Sequence, residues 1–315
     1  ALSPRPPTDE EFEWARLAGI MPRAMADRIA MGVKPATPFS VPRSAVAAWA
    51  ELLAQWLIAA SRPVDPSEAT ALAHATKLVL QQGLSAKQVM ERIGAAKKGH
   101  WDHLLAAARA HEARRPSRRQ DRASRAQARA SLGDISGACR VIAGIPCHPV
   151  QLDAIRALFP ASSRALPEPL APPPGQWAHA QSGNWVGACR RAREAAQPPE
   201  QRAGAWVLAT MGALGGTCSA PGPDGLRCGH VRVATGVLGP DVARRLAHLT
   251  DLLTDGLVSD PALGDVAIHP VPKEDGGIRP IGCGSVIRRA AARLANDALL
   301  KQLGSELEQG GQMAV

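Results

Sequence analysis

The chain has 315 residues, 45% of them hydrophobic, enough to fill the core of one large or two modest domains and too many for wholesale disorder. No run approaches the roughly 18 uncharged apolar residues of a membrane span, and Ala1 to Pro7 hold no apolar signal-peptide core. A protein of the nucleus or cytoplasm, not secreted and without membrane partners, is therefore expected, and the missing initiator Met reads as the mark of a fragment.

The net charge is +9, and because only seven of the 37 basic residues are lysines, the basicity is that of guanidinium groups. Arginine forks pair bidentately with phosphate, which suits an acidic polymer; enrichment in Arg and Ala with no Tyr and 3 Phe equally fits a GC-rich coding bias. The six cysteines form no CxxC pair. Cys218, Cys228 and His230 come nearest to a metal cluster but lack a fourth ligand, so reduced, buried thiols are expected and no metal is assigned.

In chain order, Asp9 to Met31 starts acidic and places Phe12, Trp14, Leu17, Ile20 and Met21 near helical spacing, predicting a short helix before the turn at Gly32. Pro35 to Pro42 reads as a linker. Val46, Trp49, Leu52, Leu53, Trp56 and Leu57 recur at steps of three and four, and beyond the Pro63 to Pro66 break so do Ala71, Leu72, Ala75, Leu78 and Val79. Two packed helices are the simplest outcome. Further helices are predicted over Ala86 to Ile93 and Trp101 to Ala110.

The chain then turns basic. On a helix beginning near Pro116, Arg115, Arg118, Arg119, Arg122, Arg125 and Arg129 share one face, a guanidinium stripe about 20 Å long. It reads either as a solvated, self-repelling helix or as a surface that tracks phosphates. Gly133 to Arg140 and Gly183 to Arg190 resemble each other as two Gly-Asp/Asn helix starts, too few for a solenoid. The proline-rich 160–175 between them is read as a stiff connector, dividing a helical region over 1–159 from a second part over 176–315.

A helix over about Glu200 to Leu214 precedes the stretch SAPGPDGLRCGHVR, Ser219 to Arg232. Its Ser219, Gly222, Asp224 and Gly225 make a tight turn, and the helix that follows brings its amides and Arg227 to where a phosphate could sit; taken alone, it is a turn and a cap. A helix over Val242 to Leu257 follows. Ala267 to Lys273 and Ile278 to Cys283 read as two strands joined through Gly276-Gly277, the one β signal in the chain, with Lys273 and Arg279 flanking the turn. From Ser285 a helix carries Arg288, Arg289 and Arg293, its buried face set by Val286, Ile287, Ala290, Leu294 and Leu299. The fold class expected is mainly α with a small β-hairpin, α+β.

The order of these elements resembles the fingers region of reverse transcriptases from non-LTR, LINE-like retrotransposons. A GPDG turn opens a helix, and some fifty residues later KxDGGxRPI leads into a helix with RRxxAR, the matching stretch running from about Thr217 to Val315. The resemblance implies that Lys273 and Arg279, with Arg227, Arg288 and Arg289, contact the phosphates of template or incoming nucleotide. It implies that the Ser219 to Arg227 turn helps hold template RNA, and that the partners are an RNA template, an RNA:DNA hybrid and, where a palm is present, a deoxynucleoside triphosphate. The family's polymerase carboxylates, which hold Mg²⁺, lie in a palm beyond the fingers. They are absent from this chain, so no catalytic residue and no cofactor is assigned to it. The alternative reading is a helical scaffold or adaptor whose Arg-rich surface meets proteins.

Overall fold

The computed structural model describes residues 6–114, 126, 139, 142, 210–214, 220–254, 257–258, 260–272 and 278–309. The protein is mainly helical with two small two-stranded sheets. It divides into two compact units, one of residues Ala1–Ala108, Pro172–Val266 and Gly284–Val315, the other of Arg109–Ala171 and Ala267–Cys283. The 160–175 connector and the arginine stripe 115–129 lie outside the described residues, as does most of the helix expected over Glu200 to Leu214.

In the larger unit α1 (Asp9–Gly19) begins with a capping box: Thr8 Oγ1 accepts from the Glu11 amide at 3.2 Å while Glu11 Oε2 accepts from the Thr8 amide at 2.9 Å. The single helix expected over Asp9 to Met31 is instead two, because β1 (Ile20–Pro22) interrupts it before α2 (Arg23–Gly32). β1 pairs antiparallel with β2 (Glu68–Thr70), Ile20 opposite Thr70 and Pro22 opposite Glu68, a sheet the sequence reading missed. Three residues are too few to show period-two alternation.

α3 (Val46–Ala60) runs through the middle of this unit, and from Trp49 onward every residue but Glu51 is buried, so it is apolar all round as a central helix must be. Its two tryptophans meet edge to face at 5.6 Å between ring centroids. Each finds a carbonyl for its indole N–H: Trp56 donates to Ala18 at 2.7 Å and Trp49 to His230 at 3.0 Å.

The second helix expected near Ala71 to Leu80 is a correction. The segment runs as β2, a 3₁₀ turn (Ala71–Ala73) and a single helical turn, α4 (Thr76–Val79). Every residue from Ala69 to Gln81 is buried, so the apolar spacing reflects total enclosure rather than one face of a helix. At its start the Thr70 amide and hydroxyl are both taken by the Asp260 carboxylate, at 2.7 and 2.8 Å, which holds the backbone extended.

α5 (Ala86–Lys97) and α6 (Trp101–Arg114) follow, the latter burying Trp101, Leu104, Leu105 and Ala108 on one side as its spacing predicts. α7 (Cys228–Leu238) and α8 (Pro240–Thr254) add to the same core, and α9 (Val286–Gln309) closes it with Val286, Ile287, Ala290 and Leu294. In that one cluster α3 residues sit with those of α7, α8 and α9, so chain from both sides of the proline-rich segment shares a core. β3 (Val266–Pro272) and β4 (Ile278–Gly284) pair as the hairpin expectation requires. Among the described residues no helix is long and apolar enough to cross a membrane.

Candidate nucleic-acid interface

The GPDG turn is wedged, not free. A Cβ on Gly222 would lie 2.6 Å from the Ser285 amide nitrogen and 2.7 Å from the Gly284 carbonyl carbon, distances no side chain tolerates. Gly225 takes φ +77 and faces Thr37 and Lys77, whose nearest atoms a Cβ would meet at 3.0 and 3.1 Å. Only glycine satisfies both the left-handed backbone and the close approach. The turn closes with the Gly225 amide donating to Gly222 at 3.1 Å, and the Thr37 hydroxyl donates to the Gly225 carbonyl at 2.7 Å.

Asp224, read from sequence as part of a tight turn, is 2% exposed. One carboxylate oxygen accepts from the Leu226 amide at 3.0 Å, and Oδ2 is buried without a hydrogen-bond partner. Burial pushes its pKa up to about 6; the Ser285 hydroxyl, the Leu226 amide, Arg289 and Lys77 act in the opposite direction. This carboxylate sits beside the start of α9, where the helix dipole favours a negative charge.

Arg227, expected to reach phosphate, turns toward the segment before α3. Its Nε donates to the Thr37 carbonyl at 3.2 Å, and its guanidinium carbon lies 4.3 Å from the centroid of the Phe39 ring. Next to it His230 is completely buried. Its Nδ1 accepts from the Arg227 amide at 3.3 Å, so Nε2 carries the proton and donates to the Pro38 carbonyl at 2.7 Å. Burial lowers its pKa to about 4, in keeping with a neutral ring. With both ring nitrogens engaged and the Cys228 thiol on the Leu214 carbonyl, the Cys228–His230 pair has no ligand to offer a metal. No metal-holding group occurs among the described residues.

The arginines of α9 are placed differently. Arg288 is exposed and donates to the Gly264 carbonyl, Arg289 donates to the Ala220 carbonyl at 2.7 Å, and Arg293 to that of Ala213 at 3.2 Å. All three meet neutral carbonyls, and none forms an ion pair with a carboxylate among the described residues. The N–H of Arg289 Nε is buried without an acceptor. Arginines that brace the fold use both kinds of partner: Arg245 bonds Glu11 at 2.7 Å and Arg23 bonds Asp260 at 3.3 Å, while buried Arg92 donates to the Leu78 carbonyl at 2.6 Å and the Ala107 carbonyl at 3.1 Å.

The turn and the first turns of α9 are thus brought together, through Gly222 on Ser285 and Arg289 on Ala220. Ser219, Lys273, the side chain of Arg279 and the stripe of Arg115, Arg118, Arg119, Arg122, Arg125 and Arg129 lie outside the described residues. The sequence reading put Arg293 on this helix with Arg288 and Arg289 but did not count it among the phosphate contacts, although its step of four from Arg289 puts the two on one helix face. A separate groove of about 430 Å³ is rimmed by Glu13, Arg16 and Glu68 over Leu17 and Trp101, a mixed-charge lining unsuited to a polyanion. No family model, curated protein or solved structure matches the chain.

Proposed function

We propose that the chain is the upstream and fingers portion of a retroelement RNA-directed DNA polymerase, and that it binds template RNA or an RNA:DNA hybrid through phosphate contacts without polymerising by itself. The observation that carries this reading is the group of α9 guanidinium groups. Exposed Arg288 and Arg293 donate only to neutral carbonyls among the described residues, an arrangement that leaves positive potential for an anionic ligand. The ordered succession of GPDG turn, helix, paired strands and RRxxAR helix supports the family assignment.

In this reading Lys273 and Arg279, on either side of the β3–β4 connection, contact the sugar-phosphate backbone. Arg227 braces the turn from behind rather than touching the ligand. Phosphate contacts fix position and carry no base information, so binding is expected to be weak in sequence preference. Few aromatic side chains are present for stacking bases: 3% of the chain, with no Tyr. In the family that the sequence resembles, two-metal phosphoryl transfer is carried by carboxylates of the palm, outside the stretch that the resemblance covers.

The experiment is a binding titration of a labelled RNA:DNA hybrid and of single-stranded RNA, with the intact chain and with Lys273→Ala/Arg279→Ala and Arg288→Gln/Arg293→Gln variants. Weakened binding of both ligands in both variants is expected. Unchanged binding in both, or no binding by the parent chain, would favour the helical adaptor.

A further inference from the structure

We infer that the groove formed by α1, the β1–β2 pair and the turn before α6 docks a short segment of another protein, one that sets a large apolar side chain on Leu17 and an arginine or lysine beside Glu13. The inference is independent of the polyanion-binding reading above, because none of its residues belongs to the arginine group of α9.

The groove is formed before any ligand arrives. Ile20, Pro22 and Glu68 of its lining sit on paired strands, and Thr70 of that pair is held by the Asp260 carboxylate. Trp101 is fixed as the floor by its indole N–H, which donates to the Ile20 carbonyl at 3.3 Å. At Gly99, φ is +67 and a Cβ would lie 3.0 Å from the Leu17 carbonyl, so glycine lets the turn before α6 close on the end of α1. A rigid site of about 430 Å³ takes a bulky side chain without the ordering cost that a soft surface would add.

The exposed side of α1 extends this surface. Trp14 and Leu17 are 53% and 64% exposed on a helix that buries Ala15 and Ala18. With Glu10 and Glu13 they fall at steps of three and four and form a strip about 10 Å long. A small molecule would fill the groove and leave the strip in water, whereas a polypeptide segment covers both.

Charge selects the kind of segment. Although the chain carries +9, Glu10 and Glu13 are exposed and form no ion pair among the described residues. The other charged lining residues, Arg16 and Glu68, face each other at 3.9 Å. The free carboxylates repel nucleic acid and acidic peptides and attract a cation, and arginine has the added advantage of stacking on the open Trp14 ring.

The test pans a phage library of random 12-residue peptides against the intact chain and titrates the enriched sequences as labelled synthetic peptides. They should carry a large apolar residue with Lys or Arg within four positions. Glu13→Lys should weaken them about 3- to 10-fold and Leu17→Ser by about 10-fold or more, while Arg288→Gln/Arg293→Gln should leave them unchanged. A peptide whose basic residue is replaced by Glu should regain affinity on Glu13→Lys. No enrichment, enrichment of acidic sequences, or equal affinity for the intact chain and the two groove variants would overturn the inference. Thermal unfolding checks that the variants keep the fold. Should Leu17→Ser unfold, the charge exchange decides alone: recovery supports the inference and its absence overturns it. Self-association that Glu13→Lys abolishes would assign the groove to a second copy of the chain and overturn the stated occupant.

Discussion

The indole N–H of Trp49 donates to the backbone carbonyl of His230 at 3.0 Å, while the two rings meet edge to face with centroids 6.0 Å apart. This contact spans 181 residues of sequence and ties the central helix α3 to the helix that the GPDG turn opens. The candidate interface therefore rests on the N-terminal core rather than beside it.

Replacing Trp49 by Phe should cost about 2–4 kcal/mol, the sum of lost volume and a buried carbonyl left without its donor. Urea unfolding monitored by circular dichroism measures it. A loss below about 0.5 kcal/mol would mean that the carbonyl finds another donor.

His230 gives a pH signature. Its folded pKa of about 4 lies below the unfolded value of 6.5, so its contribution is complete above pH 6.5 and is lost as pH falls toward 4. The whole effect is at most about 3 kcal/mol. Asp224 works in the opposite sense, losing stability as pH rises from about 4 to about 6. His230→Asn should therefore flatten the acid limb of the stability profile, and Asp224→Asn should lift the neutral end. Unaltered acid and neutral limbs in both variants would contradict these assignments.

Asp260 joins parts of the chain 190 residues apart. Its carboxylate takes the Thr70 amide at 2.7 Å, the Thr70 hydroxyl at 2.8 Å, the Ala262 amide at 3.0 Å and the Arg23 guanidinium at 3.3 Å. Burial by itself would raise its pKa, but the bonds from Thr70 and Ala262, together with His74, hold it below the usual carboxylate range. Removing it leaves Arg23 and Thr70 without their partner, so Asp260→Ala should destabilise by about 3–5 kcal/mol, against a smaller loss for Asp260→Asn. Equal losses in the two would show that charge is irrelevant there.

The sequence disclosed what depends on periodicity. Steps of three and four located α3, α5, α6 and the buried Val286, Ile287, Ala290 and Leu294 of α9, the side chain of Leu299 lying outside the described residues. They failed at Ala71 to Leu80, where enclosure on all sides imitates a stripe, and at β1 and β2, which are too short to alternate. In the candidate site the tight turn and its glycines were legible because glycine has a local reason to be there. The inward role of Arg227 was not, since Thr37 and Phe39 lie nearly 190 residues away in sequence. The burial of Asp224 was equally hidden, because what covers it, α4 and the start of α9, comes from distant parts of the chain.

Gly222→Ala separates the packed turn from a loose one. A Cβ 2.6 Å from a backbone nitrogen forces the turn off α9, so stability should fall by about 1–3 kcal/mol and RNA affinity should fall with it, because Arg289 loses its seat on Ala220. Thermal unfolding with a parallel binding titration reads both. Normal stability in the variant would show that the turn is not seated on α9.

The central claim is that the described arginines meet phosphate. Its most direct measurement is the affinity of the intact chain for oligo(U) from 50 to 300 mM salt, repeated with Arg288→Gln/Arg293→Gln. The account predicts a line of log affinity against log salt with a negative slope of about 0.7 per phosphate contacted, shallower by about 1.4 in the double variant. Absent or salt-independent binding, or the same slope in both proteins, would contradict it.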